Sequence, residues 1–481
     1  MLIVACLFST WQGYLAREAQ KLQAKSTIPT RREETATLIR IGAPLTAAYV
    51  AEMGMFITDM IIVGQLGSNE LAAVGLAGDW FWVLLLIGMG VISIVGVIAA
   101  QCLGAGDRQG VVDAGEQGMI AATITSIPVM LCVWFLGPVL EFAKQDPAVV
   151  ELITGYSKVL TLAVLPALWF VVLRHYITAL AHSAAIGWIT VFALGLNVAL
   201  NYTLVYGKFG FPALGVVGAG IGTTAVNWIM FITLVIYVLR SKYIAGHRPR
   251  IIPRTIDRSL LGEIFKLGLP ISMTQVLNGA MFTVAAVVVG IIGAATLAAQ
   301  QIVYSVIYIA LSAALALGDA VRVRVAYGIG RRSVDAARQS AHVSITLAGV
   351  TTLAAALVLW LFPETIVGIY LDTTDPENET VVRLSIVMSV YAGMFLLLDG
   401  VLLVIANAIR GLRDTRSPLW ISMAGYWVVG LGSGVWLCFP LGYGTEGLWW
   451  GLVTGVALSN ILMFWRFTVR IAHVRRSLAK L

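Results

Sequence analysis

The chain has 481 residues, of which 59% are hydrophobic and 12% are charged, whereas soluble domains average about 45–50% apolar and about 25% charged residues. With a mean hydropathy of +0.88, this composition excludes an ordinary soluble protein and predicts an all-α protein that crosses a membrane many times. The net charge of +7 does not by itself indicate nucleic acid, because its meaning depends on where the charges lie.

Twelve hydrophobic segments bounded by glycine, proline or charge are long enough to span a bilayer. They are predicted near residues 41–63, 71–99, 116–140, 152–173, 186–206, 215–239, 263–289, 297–321, 339–362, 381–405, 418–440 and 448–469. An even number of spans places both termini on one side. Of the 32 lysines and arginines, all but Lys144, Lys158, Lys208 and Arg383 fall on that side. Both termini are therefore predicted to be cytoplasmic, in a multi-pass plasma-membrane protein.

An internal repeat divides the chain into two halves. Residues 40–73 and 266–299 are identical at 11 of 34 positions, among them the pairs Gly42/Gly268 and Pro44/Pro270, where shared composition alone would give about three. Six spans return the chain to its starting side, so the halves should be parallel six-helix bundles related by a pseudo-twofold axis along the membrane normal. This architecture is commonly used for alternating access.

The repeat also predicts the domain organisation. The predicted parts are a cytoplasmic N-terminal extension (1–40), a first bundle (41–239), a basic cytoplasmic linker (240–262), a second bundle (263–469) and a basic cytoplasmic tail (470–481). The basic linker is interpreted as a topology signal, with a lipid-binding patch as the alternative.

Charged groups inside the spans are candidates for function, because each costs several kcal/mol unless it is paired or hydrated. The first span contains Glu52 and Asp59 on nearly one helical face. Asp59, Asn201 and Thr223 are predicted at similar depth, and Asn197 lies one turn from Asn201. One carboxylate, two amide oxygens and a hydroxyl suit a small cation or a proton. Hydrogen bonds between helices are the alternative interpretation.

The second half contains two further acids. Asp399 lies well inside the tenth span and is predicted to be functional. Asp319 is expected to pair with Arg322, which lies on the same helical face at i+3. Because buried acids outnumber buried bases, a cavity between the halves should favour a cationic cargo.

Several motifs together carry a family resemblance. They are Gly42-Ala43-Pro44 followed by Asp59, the segment Gln101–Gly106, the run from Asn197 to Gly210 that continues to Thr223, and Asp399 followed by Arg410-Gly411. On these residues, the chain resembles transporters of the multidrug and toxic compound extrusion (MATE) family, in its NorM-like branch, over about residues 35–470.

The resemblance implies a secondary transporter that exports lipophilic, often cationic compounds, driven by inward flow of sodium or protons and without nucleotide hydrolysis. It also implies that Asp59, Asn197, Asn201 and Thr223 form a cation or proton site. Asp399 would serve the second half as a substrate or second coupling site.

One departure from the family pattern affects the second bundle. NorM-type members typically carry a glutamate at the position of Asn278, which we group with Asp399 as part of the second site. The internal repeat makes Asn278 the counterpart of Glu52. We hypothesise that the acid has effectively moved between the bundles, which would concentrate ion coupling on Glu52 and Asp59.

The remaining expectations concern chemistry and partners. We expect no enzymatic activity, no cofactor, no metal beyond a sodium ion at Asp59, and no nucleic-acid partner. The expected partners are small lipophilic cations and membrane lipid, and the protein is expected to be a monomer. The alternative function is a flippase or exporter of a lipid-linked or polyanionic substrate, whose cavity should contain several basic side chains.

Overall fold

The structure is a computed structural model that describes residues 29–253, 255–373 and 375–479. Within these ranges, twelve helices are long and apolar enough to cross a membrane, and the other ordered elements are also helical. We number the twelve α1 (Arg31–Gly64), α2 (Ser68–Ala105), α3 (Arg108–Trp134), α4 (Pro147–Ala179), α5 (Ala184–Tyr206), α6 (Gly215–Arg240), α7 (Arg258–Ile292), α8 (Ala294–Gly330), α9 (Val334–Leu361), α10 (Glu379–Gly411), α11 (Arg416–Cys438) and α12 (Gly444–Leu478). The predicted all-α class with twelve spans is confirmed.

Several helices are longer than the apolar segments that identified them. α1 begins at Arg31 and α7 at Arg258, so the last residues of the predicted extension and linker are helical. The predicted tail continues α12 as far as Leu478. Hydropathy marks only the part of a helix that lies in lipid, whereas the backbone hydrogen bonds continue into the polar turns beyond it. The extension before residue 29 lies outside the described residues.

Capping side chains and glycines set many of the helix ends. Asp107 accepts a hydrogen bond of 2.9 Å from the backbone N–H of Gly110 and starts α3. Asp146 accepts one of 2.8 Å from Ala148 and starts α4. Gly106 and Gly207 end the preceding helices with φ of 76° and 66°, values in the left-handed region that favours glycine.

The described residues form two compact units. The first unit contains residues 43–272, and the second contains 273–479 together with the start of α1 up to Gly42. α1 and α7 therefore each contribute to both units, with the divisions between Gly42 and Ala43 and between Ser272 and Met273. The apolar core of the first unit includes Tyr156 and that of the second includes Trp449.

Candidate functional site

The most concentrated polar site in the first unit surrounds Asp59 of α1. The Asp59 side chain is buried, and its two carboxylate oxygens accept hydrogen bonds from two other helices. The amide of Asn201 on α5 donates to Oδ1. The hydroxyl of Thr223 on α6 donates to Oδ2 over 3.0 Å. The three residues predicted to lie at one depth therefore meet at one carboxylate.

A second layer of polar side chains surrounds this carboxylate. Asn197 is buried one turn from Asn201; its side chain interacts with Asp59, and its Oδ1 accepts a 3.2 Å hydrogen bond from Thr58. Asn227 donates to the backbone carbonyl of Thr223 over 2.8 Å. Thr58 and Asn227 were not predicted, although Thr58 is adjacent to Asp59 and Asn227 lies one helical turn from Thr223.

Tyr156 of α4 was also missed. It is buried in the apolar core of the first unit and interacts electrostatically with Asp59. Its position beside the cluster could not be inferred from periodicity, because a tyrosine on an apolar helix face ordinarily indicates core packing.

One acceptor in the cluster lacks a partner. The side chain of Asn201 is fully buried, and while its amide donates to Asp59, its Oδ1 forms no hydrogen bond with any described residue. A buried polar atom without a partner is costly. The Asp59 carboxylate, the Asn197 and Asn201 amide oxygens and the Thr223 hydroxyl form an all-oxygen donor set, as a hard cation such as sodium requires. A bound cation would neutralise the charge of the Asp59 carboxylate, and protonation of the carboxylate would do the same.

Glu52, the other acid of α1, is paired with a base. Its Oε1 lies 2.7 Å from Nη1 of Arg174 on α4, and the two side chains are 16% and 4% exposed. The Arg174 guanidinium also lies over the ring of Tyr49, 5.1 Å from its centroid. Because Glu52 already has a cationic partner, the negative charge of its carboxylate is offset. In the sequence, Arg174 was counted only among the basic residues of the cytoplasmic side, so this pair was not predicted.

The second unit contains a buried carboxylate at Asp399 of α10. Tyr426 on α11 donates a hydrogen bond to Asp399 Oδ1, and both side chains are buried. Among the described residues, Asn278 forms no hydrogen bond with Asp399, and its Oδ1 is buried without a partner. The two residues grouped as a second site are therefore not joined by a hydrogen bond.

The local backbone of α11 explains the position of Tyr426. Residues Met423–Gly432 form a π-helix, whose wider turn shifts the side chains relative to an α-helix. This segment packs closely against α12 through glycines: a Cβ added at Gly455 would lie 2.3 Å from the carbonyl oxygen of Gly425. Close glycine contacts of this kind are typical of packed membrane helices.

Other charged groups of the second unit form structural pairs. Asp319 and Arg322 are 2.8 Å apart, which confirms the predicted i,i+3 pair. Arg410 is buried and interacts electrostatically with both. Across the residues that the structure describes, no group of three or more His, Cys, Asp or Glu side chains could hold a metal ion.

The chain forms twelve spans in two units, and each unit buries a carboxylate that is hydrogen-bonded to side chains of other helices. This combination defines a polytopic helical membrane protein with the features of a transporter. A family model described as MatE matches residues 44–203 and 270–436. The chain belongs to the MATE family of multidrug efflux transporters. The two matched segments begin at Pro44 and Pro270, which are also paired in the internal repeat.

Curated relatives match nearly the whole chain. The "Multidrug resistance protein NorM" of Burkholderia vietnamiensis is 33% identical over 448 residues, which cover 92% of this chain and 95% of the relative. A "Probable multidrug resistance protein NorM" of Rhizobium meliloti (strain 1021) is 34% identical over 429 residues, 89% of this chain and 91% of the relative. These relatives place the chain among the NorM-like members.

Solved structures share the fold. The structure described as "Crystal structure of MATE in the bent conformation" has a TM-score of 0.85 at 19% identity and covers 96% of this chain and 99% of that chain. The eukaryotic MATE transporter AtDTX14 has a TM-score of 0.80 at 20% identity, with 93% and 99% coverage.

Proposed function

We propose that the protein is a secondary antiporter that exports lipophilic, cationic compounds in exchange for sodium ions or protons, with Asp59 as the ion-binding carboxylate. The observation that carries the proposal is the buried Asp59 carboxylate, which receives hydrogen bonds from Asn201 and Thr223, beside an Asn201 Oδ1 that lacks a partner. This arrangement provides one negative charge and neutral oxygen donors in a site with little access to water.

The coupling follows from linkage. A carboxylate that has bound a proton or a sodium ion no longer offers a free negative charge to a cationic compound. Binding of the ion therefore weakens binding of the cargo, and the reverse holds with equal free energy. Export against a concentration gradient requires only that the ion enter from the outer side and leave on the cytoplasmic side. The substrate itself undergoes no chemical conversion.

The other acids have distinct roles in this proposal. Asp399, with Tyr426, is the second carboxylate and contributes to cargo binding. Glu52 is held by Arg174 and adjusts the electrostatics of α1 rather than binding the ion itself. Both chain termini are cytoplasmic, as the distribution of lysine and arginine indicates.

The test is export from proteoliposomes loaded with ethidium, a fluorescent lipophilic cation, under separately imposed sodium and proton gradients. We expect one gradient to drive ethidium movement in the parent protein and Asp59→Asn to abolish it. The matched control is Glu151→Gln, which neutralises an exposed carboxylate of the same unit and should leave export unchanged. Gradient-driven export that persists in Asp59→Asn would refute Asp59 as the coupling site. A parent protein that exports no cation under either gradient would refute the antiport itself.

A further inference from the structure

The second unit contains a small pocket that is separate from both buried carboxylates. It lies between residues 383–391 of α10 and 445–449 of α12, near the start of each helix, and has a volume of about 170 Å³. Its lining comprises the charged pair Arg383 and Glu446 with Leu384, Val387, Met388, Tyr391, Thr445 and Trp449. Because α10 and α12 run in the same direction, the pocket lies at one end of the unit, the outer end in the proposed topology.

The pocket presents two opposite charges that are not paired with each other. Among the described residues, no carboxylate lies within 4.0 Å of the Arg383 side-chain nitrogens. Glu446 accepts a hydrogen bond of 2.7 Å from the Tyr391 hydroxyl. A pocket that holds a separate cation and a separate anion is complementary to a zwitterion of matching length.

Two further residues define the pocket. Glu446 lies in the first turn of α12, where N–H groups without intrahelical acceptors and the helix dipole favour its ionised carboxylate. Trp449 lines the pocket and is 1% exposed, and its indole Nε1 has no acceptor among the described residues. The buried Trp449 ring therefore forms a wall of the pocket.

The surroundings of the pocket are those of a membrane interface. Trp450 is 46% exposed, and its ring lies edge-on to Tyr391 at 5.5 Å. Val387 and Val390 leave 37% and 45% of their surface exposed along α10. Tryptophan and tyrosine are enriched at the level of lipid headgroups, and the valines offer an apolar path for acyl chains. These features favour a lipid over a soluble zwitterion.

We propose that this pocket binds the headgroup of a zwitterionic phospholipid with a primary amine, that is, a phosphoethanolamine group. Its phosphate lies at Arg383, and its ammonium group donates hydrogen bonds to Glu446. A phosphocholine headgroup carries the same charges, but its quaternary ammonium cannot donate a hydrogen bond, so the pocket discriminates between the two. This site is a feature of the second unit and does not depend on the ion that drives export.

The test is native mass spectrometry of the full chain, released from micelles with equal amounts of phosphatidylethanolamine and phosphatidylcholine. We expect preferential retention of phosphatidylethanolamine. Glu446→Gln should remove the preference, and Arg383→Gln should lower retention of both lipids about tenfold, the loss expected for one charge-assisted hydrogen bond. Glu364→Gln and Lys208→Gln, which neutralise exposed charges elsewhere, are the controls and should retain lipid like the parent.

Three outcomes would overturn the proposal. The first is equal retention of the two lipids by the parent protein. The second is unchanged retention in both pocket variants. The third is displacement of the lipid by an equal concentration of soluble glycerophosphoethanolamine, which would identify the ligand as a free zwitterion rather than a membrane lipid. A failure of ethidium export would affect none of these measurements, so the two proposals can fail separately.

Discussion

Gly222 on α6 leaves the space that the Asn201 amide occupies beside Asp59. A Cβ added at Gly222 would lie 2.1 Å from Asn201 Oδ1 and 3.2 Å from its Cγ. The Asn201 side chain is fully buried and hydrogen-bonded to Asp59. We therefore expect Gly222→Ala to displace the amide by about 1 Å, the shift needed to restore a van der Waals contact. This displacement would break its hydrogen bond to the carboxylate.

The size of the effect follows from that hydrogen bond. A hydrogen bond to a charged group contributes about 1.5–3 kcal/mol, which corresponds to about 10- to 150-fold in a binding constant. If sodium is the coupling ion, the loss of an amide ligand weakens binding, and the half-maximal sodium concentration rises by this factor. If the proton is the coupling ion, the loss of a donor to the carboxylate favours protonation, and the half-maximal pH of transport rises by about 1–2 units.

The assay is ethidium export from proteoliposomes as a function of sodium concentration and of pH. Gly195→Ala on α5 is the matched control, because a Cβ at Gly195 meets no atom within 4 Å. Both substitutions replace a helical glycine with alanine and gain the same helix propensity, about 1 kcal/mol. Unchanged dependence on both ions in Gly222→Ala would refute the assignment of Asn201 to the ion site.

Two further substitutions test the buried charges. Tyr426→Phe removes the donor to Asp399 and should destabilise the protein by about 1–3 kcal/mol in thermal unfolding, whereas Tyr202→Phe at an exposed tyrosine should have little effect. Arg174→Gln leaves Glu52 without its ion-pair partner and should cost about 3–5 kcal/mol, and adding Glu52→Gln should recover part of this loss. If the two losses were simply additive in the double variant, this would contradict an energetic interaction between Arg174 and Glu52.

Local sequence patterns predicted the spans and four members of the Asp59 cluster, namely Asp59, Asn197, Asn201 and Thr223. The depth of each residue could be counted from a glycine at the end of its helix, such as Gly64 or Gly207. A helix fixes the distance between residues along its axis, so counting residues estimates depth well. This explains why Asp59, Asn201 and Thr223 meet at one level.

Partners that depend on helix packing could not be predicted in this way. Arg174 pairs with Glu52 only because α4 faces α1 at that position, and nothing in the sequence around either residue indicates the rotation of one helix toward the other. The Tyr426 contact depends in addition on the π-helical turn of α11. Hydrophobic periodicity assumes 3.6 residues per turn and cannot anticipate a local change in that value.

The start of α1 illustrates how composition can mislead. Residues 31–40 are polar enough to be interpreted as a cytoplasmic extension, yet the Glu34 side chain is fully buried in the second unit. Its Oε1 and Oε2 accept hydrogen bonds of 2.9 and 2.6 Å from Arg324 on α8, and Ser340 on α9 donates to Oε1 over 2.6 Å. The sequence separation of about 300 residues hides this ion pair from any local pattern.

Residues 31–42 of α1 belong to the second unit, where the Glu34 ion pair holds them. Arg324→Gln leaves Glu34 buried without its cation, at a cost of about 3–5 kcal/mol. We therefore expect faster amide hydrogen exchange in residues 31–42, while the α5 amides around Asn201 keep their protection. Arg338→Gln, at an exposed arginine of α9, is the control. Equal exchange in the two variants would show that Glu34 does not hold this end of α1.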